Sequence, residues 1–279
     1  MTVKIVTDST SDITRALATQ LGVTVVPLTV MFGHETFLDR VDITTDEFYR
    51  RLTRQEVNPT TTQPSPGAFA EVYKELAAET DEILVIVISG KLSGTHQSAS
   101  SARDLAGVKS RIEVIDSTKT AMGLGLLVIA AAKMAESDAP LDKIAAAVRD
   151  RIPRTHPIMA FDTLKYLAKG GRIGKAQGLV GSLLKVRPVL TMRDGEVAPL
   201  TRLRSLAAVT DYLYNTVACL KSIEELAVEH ATTPDDADEL VERLSKIYPR
   251  ERIYRSTVSP VLGTYMGPNV LSISYTEGK

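Results

Sequence analysis

The sequence predicts an α/β fold, with an N-terminal parallel-sheet, Rossmann-like domain followed by a C-terminal α+β domain with a mixed sheet. Three observations predict it. Through the first half, short β-rich runs alternate with helix-length segments, the pattern of strands joined by crossover helices. Further on, Asp194-Gly195 lies between two β-type runs, which is hairpin chemistry. Between the two regions, Ala121–Ala132 (AMGLGLLVIAAA) is apolar almost throughout. It is too short to span a bilayer, which takes about 20 residues, so it reads as a buried helix.

Val3–Thr7 (VKIVT) is the first strand. Ser11 or Asp12 is the expected cap of a helix running to about Gln20. Val23–Val30 (VTVVPLTV) reads as one strand. Thr44 and Glu47 form a Thr-x-x-Glu capping box. Ser65-Pro66 is a helix cap with proline in the first turn. Glu82–Ser89 is a buried strand, Ser93–Ala106 a helix with Ser93 at its cap, and Arg111–Asp116 another strand. After about Arg151 the character changes. A strand-like PIMAFD leads to the hairpin RPVLTMRDGEVAPLTR. A helix (SLAAVTDYLYNTVACLK), the strand ELAVEHA, the helix PDDADELVERLSKIY and strands near Ile253–Val258 and Val270–Tyr275 follow. This half is expected to carry its helices on one side of its sheet. The expected domains are 1–154, with 28–62 as a candidate insertion, and 155–279.

Composition narrows the function. The chain has 279 residues, 33 basic and 34 acidic, for a net charge of −1, so no global field draws it to nucleic acid. One cysteine, Cys219, excludes an internal disulfide and fits a reducing cytoplasm. Cys219 falls on an apolar helical face and reads as core rather than nucleophile. The N-terminus is already strand-like and does not read as a signal peptide. His34, His96, His156 and His230 are scattered without metal-ligand spacing. Asp8-Ser9-Thr10-Ser11-Asp12 reads as a capping cluster rather than a cation site. There is no Walker loop and no dinucleotide fingerprint, and no cofactor is expected.

Four stretches can hold a ligand. VISGKLSGTHQSAS follows a buried strand, and ligands of open α/β sheets bind beyond strand carboxyl ends. Ser93 and Gly94 there either cradle an anion at a helix start or merely cap the helix. Asn58–Gly67 (NPTTTQPSPG) offers hydroxyls at Thr60, Thr61, Thr62 and Ser65, or is a solvated turn. In LAKGGRIGKAQG, Arg172 can fork onto a carboxylate or phosphate, or simply follow a glycine cap. Arg202 and Arg204 share a strand face after the hairpin, or guard an edge strand with charge.

Taken together, IVTDSTSDI, VVPLTV, TTTQPSPGAF, ISGKLSGTHQSA, VIDSTKTAMGLG, LKYLAKGGRIGKAQ, RPVLTMRDGEV and GTYMGP, in this order, resemble the DegV family of bacterial fatty-acid-binding proteins. These serve as the lipid-presenting subunit of fatty acid kinase. The resemblance runs over nearly the whole chain. It implies a long-chain fatty acid such as palmitate or oleate, its tail in an apolar tunnel between the domains. It implies a carboxylate held by Thr61 or Thr62 and by Ser93 and Gly94. It implies an ATP-dependent kinase as partner, a cytoplasmic location, transient membrane contact and no catalysis by this chain alone. Arg204 matches the family arginine that contacts the kinase, with Arg202 in place of the usual lysine. Arg172 is a further candidate for head-group or kinase contact. The family's Gly-Thr-His-x-Gly-Pro pattern reads Gly263-Thr264-Tyr265-Met266-Gly267-Pro268 here. Tyr265 can donate a hydrogen bond, but a phenol carries no positive charge. A competing expectation is a phosphotransferase or small-substrate kinase subunit of related fold, with His96 as its candidate residue.

Overall fold

The computed structural model describes residues 2–54, 58–179 and 186–279. The chain starts with β1 (Lys4–Asp8), α1 (Arg15–Gln20), β2 (Val23–Val26), β3 (Thr29–Phe32), β4 (Glu35–Leu38), α2 (Thr45–Arg54) and β5 (Thr60–Thr62). It continues with α3 (Pro66–Ala77), β6 (Glu82–Val87), α4 (Thr95–Ala106), β7 (Arg111–Asp116), α5 (Ala121–Glu136) and α6 (Leu141–Arg151). The second half holds β8 (Thr155–Ala160), α7 (Lys165–Lys169), β9 (Arg187–Arg193), β10 (Glu196–Leu203), α8 (Leu206–Ala218) and β11 (Ile223–His230). It ends with α9 (Pro234–Leu244), β12 (Ile253–Thr257), α10 (Pro260–Met266) and β13 (Leu271–Glu277).

Among the described residues, four strands form a parallel sheet in the order β2-β1-β6-β7. The chain winds from β1 to β2 on one side, then returns to place β6 on the other side of β1. That reversal opens a crevice beyond the carboxyl ends of β1 and β6, the place where such sheets take ligands. A second sheet runs β10-β9-β8-β13-β11-β12 and is antiparallel except for β11 beside β12. The turn between β9 and β10 has Asp194 and Gly195 both at positive φ, as an Asp-Gly hairpin requires. A small antiparallel sheet, β4-β3-β5, comes from the excursion between β2 and α3.

α5 joins the two large sheets. Every residue from Ala121 to Ala132 is buried. One side of the helix lies against β1 and β6, the other against β8, β11 and β13. Two glycines set how close the sheets come. A Cβ on Gly123 would meet the Pro157 ring of β8 at 3.0 Å, and one on Gly125 would meet the Ser11 carbonyl oxygen at 2.5 Å. A helix with no polar face can exist here only because both faces are covered.

Four sequence expectations are corrected. The first helix is capped by Thr14, whose hydroxyl accepts the Leu17 N–H at 3.2 Å, because Asp12 turns left-handed after a short 3-10 turn at Ser9–Ser11. VTVVPLTV is two strands in different sheets. Pro27 lacks an N–H for a sheet ladder, and the Leu28 N–H bonds the Ser9 hydroxyl at 3.1 Å. The mixed sheet carries α8 and α9 on one face, but α5 covers the other, so its helices are not confined to one side. Cys219 is exposed, because α8 ends at Ala218 and its buried stripe runs through Leu213 and Val217. The other expected elements fall within a few residues of their observed bounds, and Arg111–Asp116 matches residue for residue, while β4, β5, α6, α7 and α10 had no expected counterpart.

The close approach at Gly125 predicts that Gly125→Ala destabilises the protein by about 1–3 kcal/mol, the cost of overpacking against unyielding backbone. The midpoint of urea unfolding measures it.

Candidate functional site

The crevice is shaped by backbone before any side chain enters it. Asp8, at the end of β1, accepts the Thr10 N–H at 2.9 Å through one oxygen and the Ile88 N–H at 2.8 Å through the other. This ties the exits of β1 and β6 together. Burial pushes the Asp8 carboxyl above its ordinary range, and these hydrogen bonds work against that. Ser89 donates to the Gly195 carbonyl at 2.7 Å, which docks the tip of the β9–β10 hairpin on the loop after β6.

That loop carries Ser93. It is not the helix cap. α4 begins at Thr95 with Gly94 as its cap, and Ser93 Oγ lies 2.9 Å from the Thr95 hydroxyl. Gly94 packs close to the Gln63 side chain: a Cβ there would sit 2.7 Å from Gln63 Nε2. Thr61 reaches in from β5, its Oγ1 2.6 Å from the Tyr265 hydroxyl of α10. The Arg172 guanidinium lies 5.0 Å from the centre of the Tyr265 ring. It donates to the Leu92 carbonyl at 3.2 Å and the Gly170 carbonyl at 2.8 Å, so it is held by backbone rather than by a carboxylate.

These groups ring one end of a cavity with about 650 Å³ of atom-free space, its open mouth included. The centre of a water molecule can occupy only about 60 Å³ of it, so the space is a narrow slot. Leu28, Ile88, Phe161, Leu167, Val261 and Met266 supply much of the apolar wall. Thr61, Arg172 and Tyr265 also border an outer depression lined by Asn58, Thr60 and Lys169, which marks the polar end as the open end. Among the described residues lining the slot there is no carboxylate, imidazole, thiol or amine; Arg172 is the charged group. The arrangement offers hydrogen bonds to an anion and an apolar path behind it. Among the described residues, no group of three or more His, Cys, Asp or Glu is placed to hold a metal.

Of the residues singled out from sequence, the fold brings Thr61, Ser93, Arg172 and Tyr265 to one place. Gly94 stands beside Ser93. Thr62 does not line the slot, because neighbours on a strand point to opposite faces, and it is exposed. Arg202, on β10, and Arg204, just past its end, are exposed and do not line it either. His96 is half-buried and also off the lining. Sequence reasoning missed Thr10, Thr120 and the apolar wall. These residues carry no local signal, since they meet only through the packing of both sheets.

A model of the DegV family, described as uncharacterised protein, DegV family, matches residues 2–278. The chain belongs to the DegV family. It is 38% identical over 279 residues to a DegV domain-containing protein of Caldanaerobacter subterraneus subsp. tengcongensis, covering 99% of each. Two DegV structures are similar over 100% of both chains. One, from Thermus thermophilus and described as showing fatty acid binding, has a TM-score of 0.91 at 32% identity. The other, from Bacillus subtilis and described as a fatty acid binding protein, has 0.88 at 28%. No described helix of this DegV chain is long and apolar enough to cross a membrane.

The Thr61–Tyr265 bond joins β5 to α10 across the slot mouth. A double-mutant cycle of Thr61→Val and Tyr265→Phe, read by urea unfolding of the ligand-free protein, is expected to give a coupling of about 0.5–1.5 kcal/mol.

Proposed function

We propose that this DegV protein binds one long-chain fatty acid, such as palmitate or oleate. The carboxylate is held by the Thr61 and Ser93 hydroxyls, with Gly94 leaving room and Tyr265 supporting Thr61, and the tail runs into the slot. One observation supports this most. The slot is apolar along its wall and polar at its open end, and among the described lining residues there is no carboxylate, imidazole, thiol or amine. The described fatty acid binding of the similar Thermus and Bacillus proteins supports the same reading.

The energetics suit such a ligand. A C16–C18 tail gains about 0.8 kcal/mol per buried methylene, roughly 11–13 kcal/mol gross. A hydrogen bond to a charged group adds about 1.5–3 kcal/mol. The tail therefore supplies most of the affinity and the hydroxyls orient the head. The narrow slot must widen to admit a tail, and Met159 and Met266, both on its wall, are side chains that repack readily.

On this reading the chain does no chemistry alone. It presents the carboxylate to a separate ATP-bound fatty acid kinase for acyl-phosphate formation. Neutral hydroxyls leave a carboxylate oxygen nucleophilic, which a lysine clamp would not. The exposed Arg202 and Arg204 serve as kinase contacts, and Arg172 stands at the head group. The division into domains 1–154 and 155–279, with 28–62 as an insertion, is part of the same proposal, as are a cytoplasmic location and brief membrane contact for loading.

Mass spectrometry of the freshly purified protein, native and then denatured, tests the ligand. The expected result is loss of one fatty-acid mass. An apo mass together with no uptake of added palmitate or oleate would overturn the reading. Ser93→Ala is expected to weaken oleate binding about 10- to 150-fold, the equivalent of one charged hydrogen bond, in a fluorescent fatty-acid displacement titration. ATP and oleate with this chain alone are expected to yield no acyl phosphate.

A further inference from the structure

A second polar cluster lies apart from the slot lining, in the seam where the two large sheets meet. Asp12 follows β1 with a left-handed backbone (φ 54°) and is completely buried. Its carbonyl accepts the Ser256 hydroxyl of β12, and its Oδ1 accepts the Ser259 N–H at 3.2 Å. Arg40 crosses the same seam, donating to the Ile13 carbonyl at 3.3 Å and to the Thr257 carbonyl. Its Nη2 lies 3.6 Å from Asp12 Oδ1. From the other sheet comes Glu229 of β11, 1% exposed, whose Oε2 accepts the Ser272 hydroxyl at 3.2 Å. The Asp12 and Glu229 carboxyls lie within hydrogen-bonding reach of each other.

Four carboxyl oxygens here have no donor: Asp12 Oδ2, Glu229 Oε1 and both oxygens of Asp39. The surroundings explain what is missing. The loop after β4 adds Asp39, also 1% exposed and near the Ser9 hydroxyl and the Val261 N–H. α2 adds Tyr49, whose hydroxyl donates to the Val258 carbonyl at 3.3 Å. α5 adds the Met122 N–H, facing Glu229, and no charged side chain at this end. His230 is Glu229's neighbour on β11 and faces the field of Arg255, Asp238 and Asp46 instead. Three buried carboxyls thus meet one guanidinium. Buried charge without compensation takes up protons.

We propose that Asp12 and Glu229 share one proton across the seam, and that this proton latches the two large sheets together beside the slot. Asp12 is the donor and Glu229 the acceptor, because the first turn of α5 points its free N–H at Glu229 and favours the negative charge there. One proton satisfies Asp12 Oδ2 and Glu229 Oε1 together. Without it, two carboxylates face each other in a buried seam. The slot borders the same seam: Thr10, Val261 and Leu262 line it, each within three residues of Asp12 or Ser259.

Burial, reinforced by Glu229, pushes the Asp12 carboxyl well above its ordinary range; burial also raises Glu229, against the hydrogen bond from Asp12. Burial pushes Asp39 up to about 7 from 3.8. The native state therefore holds protons that the unfolded chain has already lost. The contribution of these groups to stability is full at low pH and falls as pH rises through that window, by up to tenfold in the folding equilibrium per pH unit for each proton held. Asp39 contributes from 3.8 to about 7. The shared proton contributes from the ordinary carboxylate range upward, so the two add over the lower part of the range, and a fall that continues beyond the Asp39 window belongs to the shared proton.

The test is independent of any ligand. Infrared spectra of the wild-type protein at pH 8 should show the C=O stretch of a protonated carboxyl, and Asp12→Asn should remove it while Asp39→Asn leaves it. Urea midpoints from pH 5 to 9 should fall with pH in the wild type. Above about pH 7 the slope should vanish in Asp12→Asn, whose amide replaces the proton permanently, and persist in Asp39→Asn. A wild-type spectrum with no protonated carboxyl at pH 8 would overturn the proposal and needs no variant to fold. So would an Asp12→Asn protein that keeps the wild-type slope.

Discussion

A helix without a polar side must be covered on every side, and α5 is that helix. Ala121 to Ala132 are buried without exception, so the chain must place a sheet against each face. Gly123 then lets β8, and Gly125 the turn after β1, come to van der Waals distance of the helix backbone. The relative position of the two sheets follows from this packing. The slot and the polar seam both lie in or beside the gap they leave.

The slot is what remains where α5 stops separating the sheets. Its floor comes from the crevice beyond β1 and β6, which the reversal of strand order opens. Its lid comes from the opposite half: α10, the segment around Phe161 and Leu167, and the docked hairpin. Such a cavity costs packing energy and survives because the surrounding core is dense. Its polar mouth is built from hydroxyls, an amide and one backbone-anchored guanidinium. That set orients an anion without burying a fixed ion pair, whose desolvation would be costly.

The seam beside the slot follows the opposite rule. There the fold buries three carboxyls around a single arginine, and Ser259 and Ser272 donate to the Asp12 and Glu229 carboxyls while Ser256 donates to the Asp12 backbone carbonyl, tying the two halves together. Apolar contact through α5 gives the junction its strength. The polar seam gives it register, since a carboxyl finds its partners in one arrangement only. One half of the junction is insensitive to pH and the other is not.

What the sequence determined by itself was the set of elements and their local chemistry. β-branched runs, the Ser65-Pro66 start, the Asp194-Gly195 turn and the all-apolar α5 depend on neighbours a few residues away, so they are legible in a single chain. The loops that carry Thr61, Ser93 and Arg172 were legible for the same reason, through their glycines, prolines and hydroxyls. Only the tertiary structure decided which hydroxyls meet. Thr61 rather than Thr62 faces the slot because β5 pairs with β3 in one register, and its partner Tyr265 is 204 residues away. Only the tertiary structure broke VTVVPLTV between two sheets and put Asp12 beside Glu229. Asp12 read as a cap because caps are local; its contact with Ser259 spans 247 residues. Local propensity cannot encode such contacts. They are set by how two sheets close on one buried helix.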